Sequence, residues 1–241
     1  MIKRESFLSM KTLAIIPAFN EEKSIASVIH AIKRAQPDMD ILIINDGSKD
    51  RTSEVARATK HAVVIDLPVN LGIGGAMQTG YLYAARHNFE IAVQIDADGQ
   101  HDPEALTQLI APLLSGQLDC CIGSRFLMKT SYRSAWNRRV GILFFTWMIQ
   151  WMIGKTFTDP TSGFRAVNRP IIELFANYYP EDYPEVEAVV LLERQKFRVK
   201  EVSVLMHARK AGRSSITPLK SLYYMVKVSL AVFITRIRNV S

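Results

Sequence analysis

The stretch Gln94-Ile-Asp-Ala-Asp-Gly-Gln-His-Asp-Pro103 is where this chain turns from packing to chemistry. An apolar run at 91–95 stops at two carboxylates, Asp96 and Asp98, with Gly99 directly behind them. At the end of a buried strand, side chains at i and i+2 point to one side. Asp96 and Asp98 can then converge on one hard divalent cation, with Gln100 as a further oxygen. Mg2+ and Mn2+ favour such sets, which substrate phosphates and water complete. The same residues also make an ordinary strand-ending turn, because Asp and Gly are common in turns. What the flanking segments bring beside the pair decides between the two.

Upstream, short apolar runs alternate with helical patterns. Residues 13–16 read as a strand closed by Pro17, and 22–35 as a helix that Asn20 can cap. A second strand at 41–44 ends in Asn45-Asp-Gly-Ser48, after which Ser48 or Asp50 can cap a helix from 51. A third strand covers 63–65. Asn70-Leu-Gly-Ile-Gly-Gly75 leads into a helix over 76–87. Downstream, Asp102-Pro103 opens another helix, with proline favoured at the first position, and 119–122 form a fifth strand. Strands alternating with helices of this length predict right-handed βαβ units and a mostly parallel sheet with helices on both faces. Its strands are continuous apolar runs, as expected when both faces are covered. Ligands in such sheets bind beyond the carboxyl ends of the strands. The polar clusters at 20–21, 45–46 and 96–98 all fall there, which favours the site over the turn.

The second half is less regular. Residues 136–153 read as a helix whose apolar stretch, 141–153, holds two Trp and two Phe. It is too short to span a bilayer, and it is either a core helix or one lying in the membrane interface. The polar run Thr158-Asp-Pro-Thr-Ser-Gly-Phe-Arg165 follows, then helices near 170–177 and 186–196 and an edge strand at 199–204. Residues 216–240 read as a long amphipathic, basic helix that packs on the domain or docks on a membrane surface or partner.

The net charge of +7 on 241 residues points to anionic partners. No RNP-type, zinc-finger or helix-turn-helix signature is present, which argues against nucleic acid. Cys120 and Cys121 are adjacent and fit neither a disulfide framework nor a metal site, so packing in a reducing, cytoplasmic setting is expected. No apolar run reaches the roughly 20 residues of a membrane span, and the first ten residues lack a signal-peptide core.

Six motifs in this order resemble those of family 2 glycosyltransferases of the GT-A fold, in the polyprenyl-phosphate group that includes dolichol-phosphate mannose synthase. They are Pro17-Ala-Phe-Asn-Glu21, Asn45-Asp-Gly-Ser48, Asn70-Leu-Gly-Ile-Gly74, Asp96-Ala-Asp-Gly-Gln100, Gly123-Ser-Arg125 and Asp159-Pro-Thr-Ser-Gly-Phe-Arg165. The resemblance covers about 11–215. It implies a donor half at 11–124, an acceptor half at 125–215, and a separate terminal helix at 216–241.

The resemblance also implies roles. Pro17, Phe19, Glu21 and Asp46 line the base and ribose pocket, where carboxylates accept from N–H and hydroxyl groups. Gly72 and Gly74 let the backbone approach the donor, and Ala97 lies within the same site. Asp96, Asp98 and Gln100 hold Mg2+ or Mn2+ against the donor diphosphate. Arg209 and Arg213 fold over that diphosphate, while Arg125 and Arg139 bind the acceptor phosphate. Asp159 is placed on the acceptor side, and Glu185 or Glu187 near the sugar hydroxyls. The implied reaction is inverting transfer from a nucleotide-diphosphate sugar, UDP-linked, to polyprenyl (undecaprenyl) phosphate for cell-surface glycans. A phosphate acceptor is already an anion and needs no base. The segment Tyr183-Pro-Glu-Val-Glu187 departs from the mannose pattern and favours glucose or N-acetylglucosamine. Attachment at the inner face of the membrane would use the 141–153 helix, the basic tail or a small membrane-protein partner; a homo-oligomer is left open. Two rivals stand: a soluble transferase to a saccharide hydroxyl with Asp159, Glu185 or Glu187 as base, and a non-catalytic nucleotide-binding protein.

Overall fold

The computed structural model describes residues 10–127, 136–180 and 184–206, together with Lys227 and Leu230. One seven-stranded sheet organises them. Its strands are β1 (Thr12–Ala18), β2 (Asp40–Asn45), β3 (Val63–Asp66), β4 (Ile91–Gln94), β5 (Cys120–Ser124), β6 (Arg165–Asn168) and β7 (Val199–Ser203), in the spatial order β3-β2-β1-β4-β6-β5-β7. The pairs β1–β2, β1–β4, β2–β3 and β5–β7 are parallel, whereas β6 runs antiparallel to both β4 and β5.

The helices are α1 (Ile25–Ala35), α2 (Thr52–Ala58), α3 (Gly72–Arg86), α4 (Leu106–Leu114), α5 (Trp136–Ile153), α6 (Arg169–Asn177) and α7 (Pro184–Arg194). They cover both faces, and the period of two along each strand sorts the core into two layers. Leu13, Ile15, Leu42, Ile44, Ala92, Cys120 and Ile122 pack with residues of α3, α5, α6 and α7. Ala14, Ile16, Ile41, Ile43, Val93 and Cys121 pack with α1, α2 and α4. The covered, mostly parallel sheet expected from the continuous apolar runs is thus present, and Val199–Ser203 is an edge strand as read.

Three details differ from the sequence reading. Strand β6 was not anticipated, because Arg-Ala-Val-Asn is four residues long and carries polar groups at both ends. Helix α3 begins at Gly72 rather than 76 despite three glycines in its first turn. Glycine disfavours helix, but the Asp46 carboxylate accepts from the N–H groups of Leu71 (2.7 Å) and Gly72 (3.0 Å), capping that end. Asn20 does not cap α1. It sits at φ +58° and ties two loops, its N–H donating to Ser48 Oγ (2.9 Å) and its Oδ1 accepting from the Lys49 N–H (2.8 Å).

Pro17 lies inside a central strand, a position proline normally avoids. The Ile15 carbonyl serves the β4 side and the Ala18 carbonyl the β2 side. The missing Pro17 N–H therefore faces the β4 side, where that strand has already ended at Gln94. The proposed terminal helix at 216–241 lies outside the described residues, apart from the helical Lys227 and Leu230.

Candidate active site

The direction of β6 decides what gathers at the carboxyl ends of β1, β2 and β4. Because β6 is antiparallel, its first residue, Arg165, pairs with Gln94, the last residue of β4, and with Ile122 in the middle of β5. The loop 158–164 before it is delivered to the same edge as the Asp96–Asp98 segment. The two loops touch: a Cβ built on Gly163 would lie 2.9 Å from Gln94 Nε2 and 3.3 Å from Asp96 Oδ1. A larger residue at 163 would require the Gln94 side chain to shift.

The carboxylate pair sits in a turn beyond β4, not on the strand, so the pleat does not align it. Asp98 is buried, and its Oδ1 accepts from the Gln100 N–H (3.0 Å) across Gly99, which adopts φ +74°. The Asp96 side chain remains 40% exposed and faces outward. His101, unremarked in the sequence, holds Asp96 from behind. Its Nδ1 accepts from the Asp96 N–H (3.1 Å), leaving Nε2 to carry the proton of the neutral ring 3.4 Å from Asp96 Oδ2. The ring stacks on buried Phe164 at 4.6 Å between centroids, which again joins the two loops.

The oxygen-only set Asp96, Asp98 and Gln100 suits a hard cation. Among the described residues no three His, Cys, Asp or Glu side chains form a complete metal cage.

Toward β2, the loops after β1 and β2 interlock. The Glu21 N–H donates to Thr52 Oγ1 (2.8 Å), the Glu22 N–H to Asp50 Oδ2 (3.2 Å), and Ser24 Oγ donates to Glu21 Oε2 (2.7 Å). Phe19 stands exposed beside them. Asp46, expected to accept from a nucleobase, directs both oxygens to the α3 backbone instead. Gly72 has open space around the Cβ position and a φ of +77°, so conformation rather than crowding calls for glycine; Gly74 is buried within α3, and Ala97 is buried beside the carboxylates.

On the other side, Arg125 and Asp159 form a buried bidentate pair, Nε to Oδ2 and Nη2 to Oδ1, both at 2.6 Å. Asp159, expected on the acceptor side, is fully buried, and each of its oxygens accepts from Arg125. Arg125, expected at the acceptor phosphate, is itself buried, its guanidinium fork held on Asp159. Glu201 on β7, another residue the sequence did not flag, accepts from the N–H groups of Thr158 (2.7 Å) and Asp159 (2.7 Å) and from Thr158 Oγ1 (2.9 Å). Burial pushes the Glu201 carboxyl above its ordinary range, with those hydrogen bonds opposing.

At the start of α7, Glu187 is buried and Glu185 partly so. Burial pushes the Glu185 carboxyl up, Arg165 draws it down, and the nearby negative charge of Asp96 adds to the rise. Arg139 falls in the first turn of α5, with its side chain outside the described residues; Arg209 and Arg213 lie outside them altogether.

The model of the family named Glycosyl transferase family 2 matches residues 13–175. A UDP-N-acetylglucosamine–dolichyl-phosphate N-acetylglucosaminyltransferase of Methanococcus voltae is 28% identical over 209 residues, 79% of this chain and 83% of that protein. An undecaprenyl-phosphate mannosyltransferase of Micrococcus luteus is 29% identical over 223 residues, 86% of this chain and 88% of that one. In fold, the chain is similar to glucosyl-3-phosphoglycerate synthase of Mycobacterium tuberculosis, crystallised with Mn2+, UDP and glucosyl-3-phosphoglycerate. The TM-score is 0.74 at 23% identity, over 96% of this chain and 81% of that one. The family match runs unbroken from β1 through the carboxylate turn and the loop before β6, and the chain belongs to glycosyl transferase family 2.

Proposed function

We propose that this glycosyltransferase moves glucose or N-acetylglucosamine from its UDP form to polyprenyl phosphate, with inversion and with Mg2+ or Mn2+ as cofactor. The carrying observation is the stacking of His101 on Phe164, with no free space for a Cβ on Gly163 beside Asp96, which sets the carboxylate turn against the loop of the Arg125–Asp159 pair. The UDP-sugar and polyprenyl-phosphate relatives, and the Mn2+ and UDP of the structural neighbour, support the substrates.

In this reading Asp96, Asp98 and Gln100 would hold the divalent ion, which supplies Lewis-acid stabilisation of the departing diphosphate. His101 keeps Asp96 turned toward the donor. Pro17, Phe19 and Glu21 border the nucleoside, and Asp46 serves it indirectly by fixing Leu71 and Gly72 at the α3 end. Arg209 and Arg213 are the candidates for closing over the diphosphate, and Arg139 for meeting the acceptor phosphate. Asp159 orients Arg125 on the acceptor side. Glu185 and Glu187 face the sugar. Because the acceptor is an anion, no group here has to take its proton. Residues 11–124 supply the donor half and 125–215 the acceptor half of one continuous sheet, with 216–241 as a surface-docking helix. The protein works at the inner membrane surface, on which the exposed side of α5 rests.

The test is transfer of radiolabel from UDP-glucose, UDP-N-acetylglucosamine or GDP-mannose to undecaprenyl phosphate in detergent, beside a saccharide acceptor. A lipid-linked product from a UDP-sugar is expected, abolished by EDTA and lowered roughly 100-fold or more by Asp98→Asn. Absence of lipid product with every donor would sink the reading.

A further inference from the structure

The geometry assigns Arg165 as a positioning residue of the donor site: from within the sheet it clamps the loop 158–164 to the first turn of α7 and so fixes the backbone of Glu185 relative to that loop. This rests on the sugar-nucleotide reading above.

Arg165 is fully buried. Its Nη2 donates to the Ser162 carbonyl (2.8 Å) and the Glu185 carbonyl (3.1 Å), two groups more than twenty positions apart that no strand pairing joins. Around it lie Gln94, its partner across the β4–β6 ladder, and Tyr81 and Tyr179, whose rings are 5.2 Å apart. Tyr179 Oη reaches Gln94 Oε1 at 3.4 Å. Among the described residues, Arg165 Nε and Nη1 and Gln94 Nε2 have no hydrogen-bond partner.

A buried guanidinium served by two carbonyls is costly, and packing alone does not call for it. Apolar residues of similar volume replace buried charges at little cost, often with a gain. What an apolar residue cannot do is bond both carbonyls at once. Those bonds fix Ser162, whose neighbour Gly163 leaves no free space for a Cβ beside Asp96, and the backbone of Glu185, whose carboxyl feels both the Arg165 and Asp96 charges. Arg165 thus links the diphosphate end of the donor site to the end that would receive the sugar, without reaching either.

The experiment compares UDP and UDP-sugar binding with Mn2+, and transfer, in wild type, Arg165→Met, Glu185→Gln and the double variant. Arg165→Met should bind UDP within about threefold of wild type. It should lose the added affinity for UDP-sugar over UDP, and transfer on the order of 100-fold more slowly, as small misplacements do. Glu185→Gln should give the same split with Arg165 intact, and the double variant should be no worse than Arg165→Met, since the two act through one geometry. If Arg165→Met does not fold, Arg165→Gln replaces it, with the same split expected because the shorter amide cannot reach both carbonyls that Nη2 bonds. Should neither fold, Glu185→Gln decides alone. Transfer at the wild-type rate in a folded Arg165 variant, equal loss of UDP and UDP-sugar binding, or an unchanged sugar-specific gain in Glu185→Gln overturns the assignment. A wild type that binds no UDP overturns the donor reading and this inference together, whereas one that binds UDP beside an unchanged variant overturns only the inference.

Discussion

Removing either partner of the Arg125–Asp159 pair leaves the other charge inside the protein, where water cannot take its place. Arg125→Ala or Asp159→Asn should each lower stability by about 3–5 kcal/mol, and replacing both with apolar residues should cost less than either alone. Urea unfolding of the four proteins checks this as a cycle. At this scale the sequence was informative about chemical type and less so about what each side chain holds. Two carboxylates and an amide behind an apolar run already suit a hard cation, whatever the surrounding fold. Asp46 has the right chemistry for a base pocket, yet it serves the helix end across a 25-residue gap. His101 and Glu201 could not be singled out, because a lone loop histidine and an edge-strand glutamate gain meaning only from partners brought close by folding. Glu201 meets the Thr158–Asp159 backbone from more than 40 positions away.

At the level of elements, apolar runs and their punctuation located six of the seven strands. The seventh, β6, escaped because strand and site share residues: Arg165 ends the polar motif and begins the ladder. It is also the strand that makes the site, since its reversal carries 158–164 to the carboxylates. The entry to β7 is tied down electrostatically. Arg198 donates to Asp119 through Nε (2.9 Å), Nη2 (2.8 Å) and its own N–H (2.8 Å), joining the start of β5 to the residue before β7. These bonds hold the Asp119 carboxyl below its ordinary range. A depressed carboxylate stabilises the fold above its unfolded pKa, and that stability is lost as pH falls through the folded value. Asp119→Asn should therefore be less stable than wild type by about 1 kcal/mol at pH 7, and the gap should close below about pH 4. Urea midpoints at both pH values read this directly.

Across the whole molecule, α5 serves two environments. Ile142, Phe145, Ile149 and Met152 face the core, while Leu143, Trp147 and Trp151, four residues apart, are 62%, 64% and 65% exposed. The core-helix reading thus holds for one face of α5, and the opposite face stands exposed. Among the described residues no helix is long and apolar enough to cross a membrane. With a net charge of +7, an exposed aromatic stripe favours anionic lipid surfaces. Trp147→Ser with Trp151→Ser should lower binding to anionic vesicles about tenfold or more, with little change in melting temperature. Cosedimentation beside a thermal melt tests it.

Strand β5 has a different consequence. Cys120 and Cys121 are neighbours, but the alternation of the strand sends Cys120 into the layer beneath α3 and α6 and Cys121 into the layer beneath α1 and α4. Burial pushes both thiols up to about 12, so neither offers appreciable thiolate while its layer stays closed. The chain thus carries a natural pair of reporters, one for each half of its interior. The order in which they become reactive would tell which side of the sheet opens first.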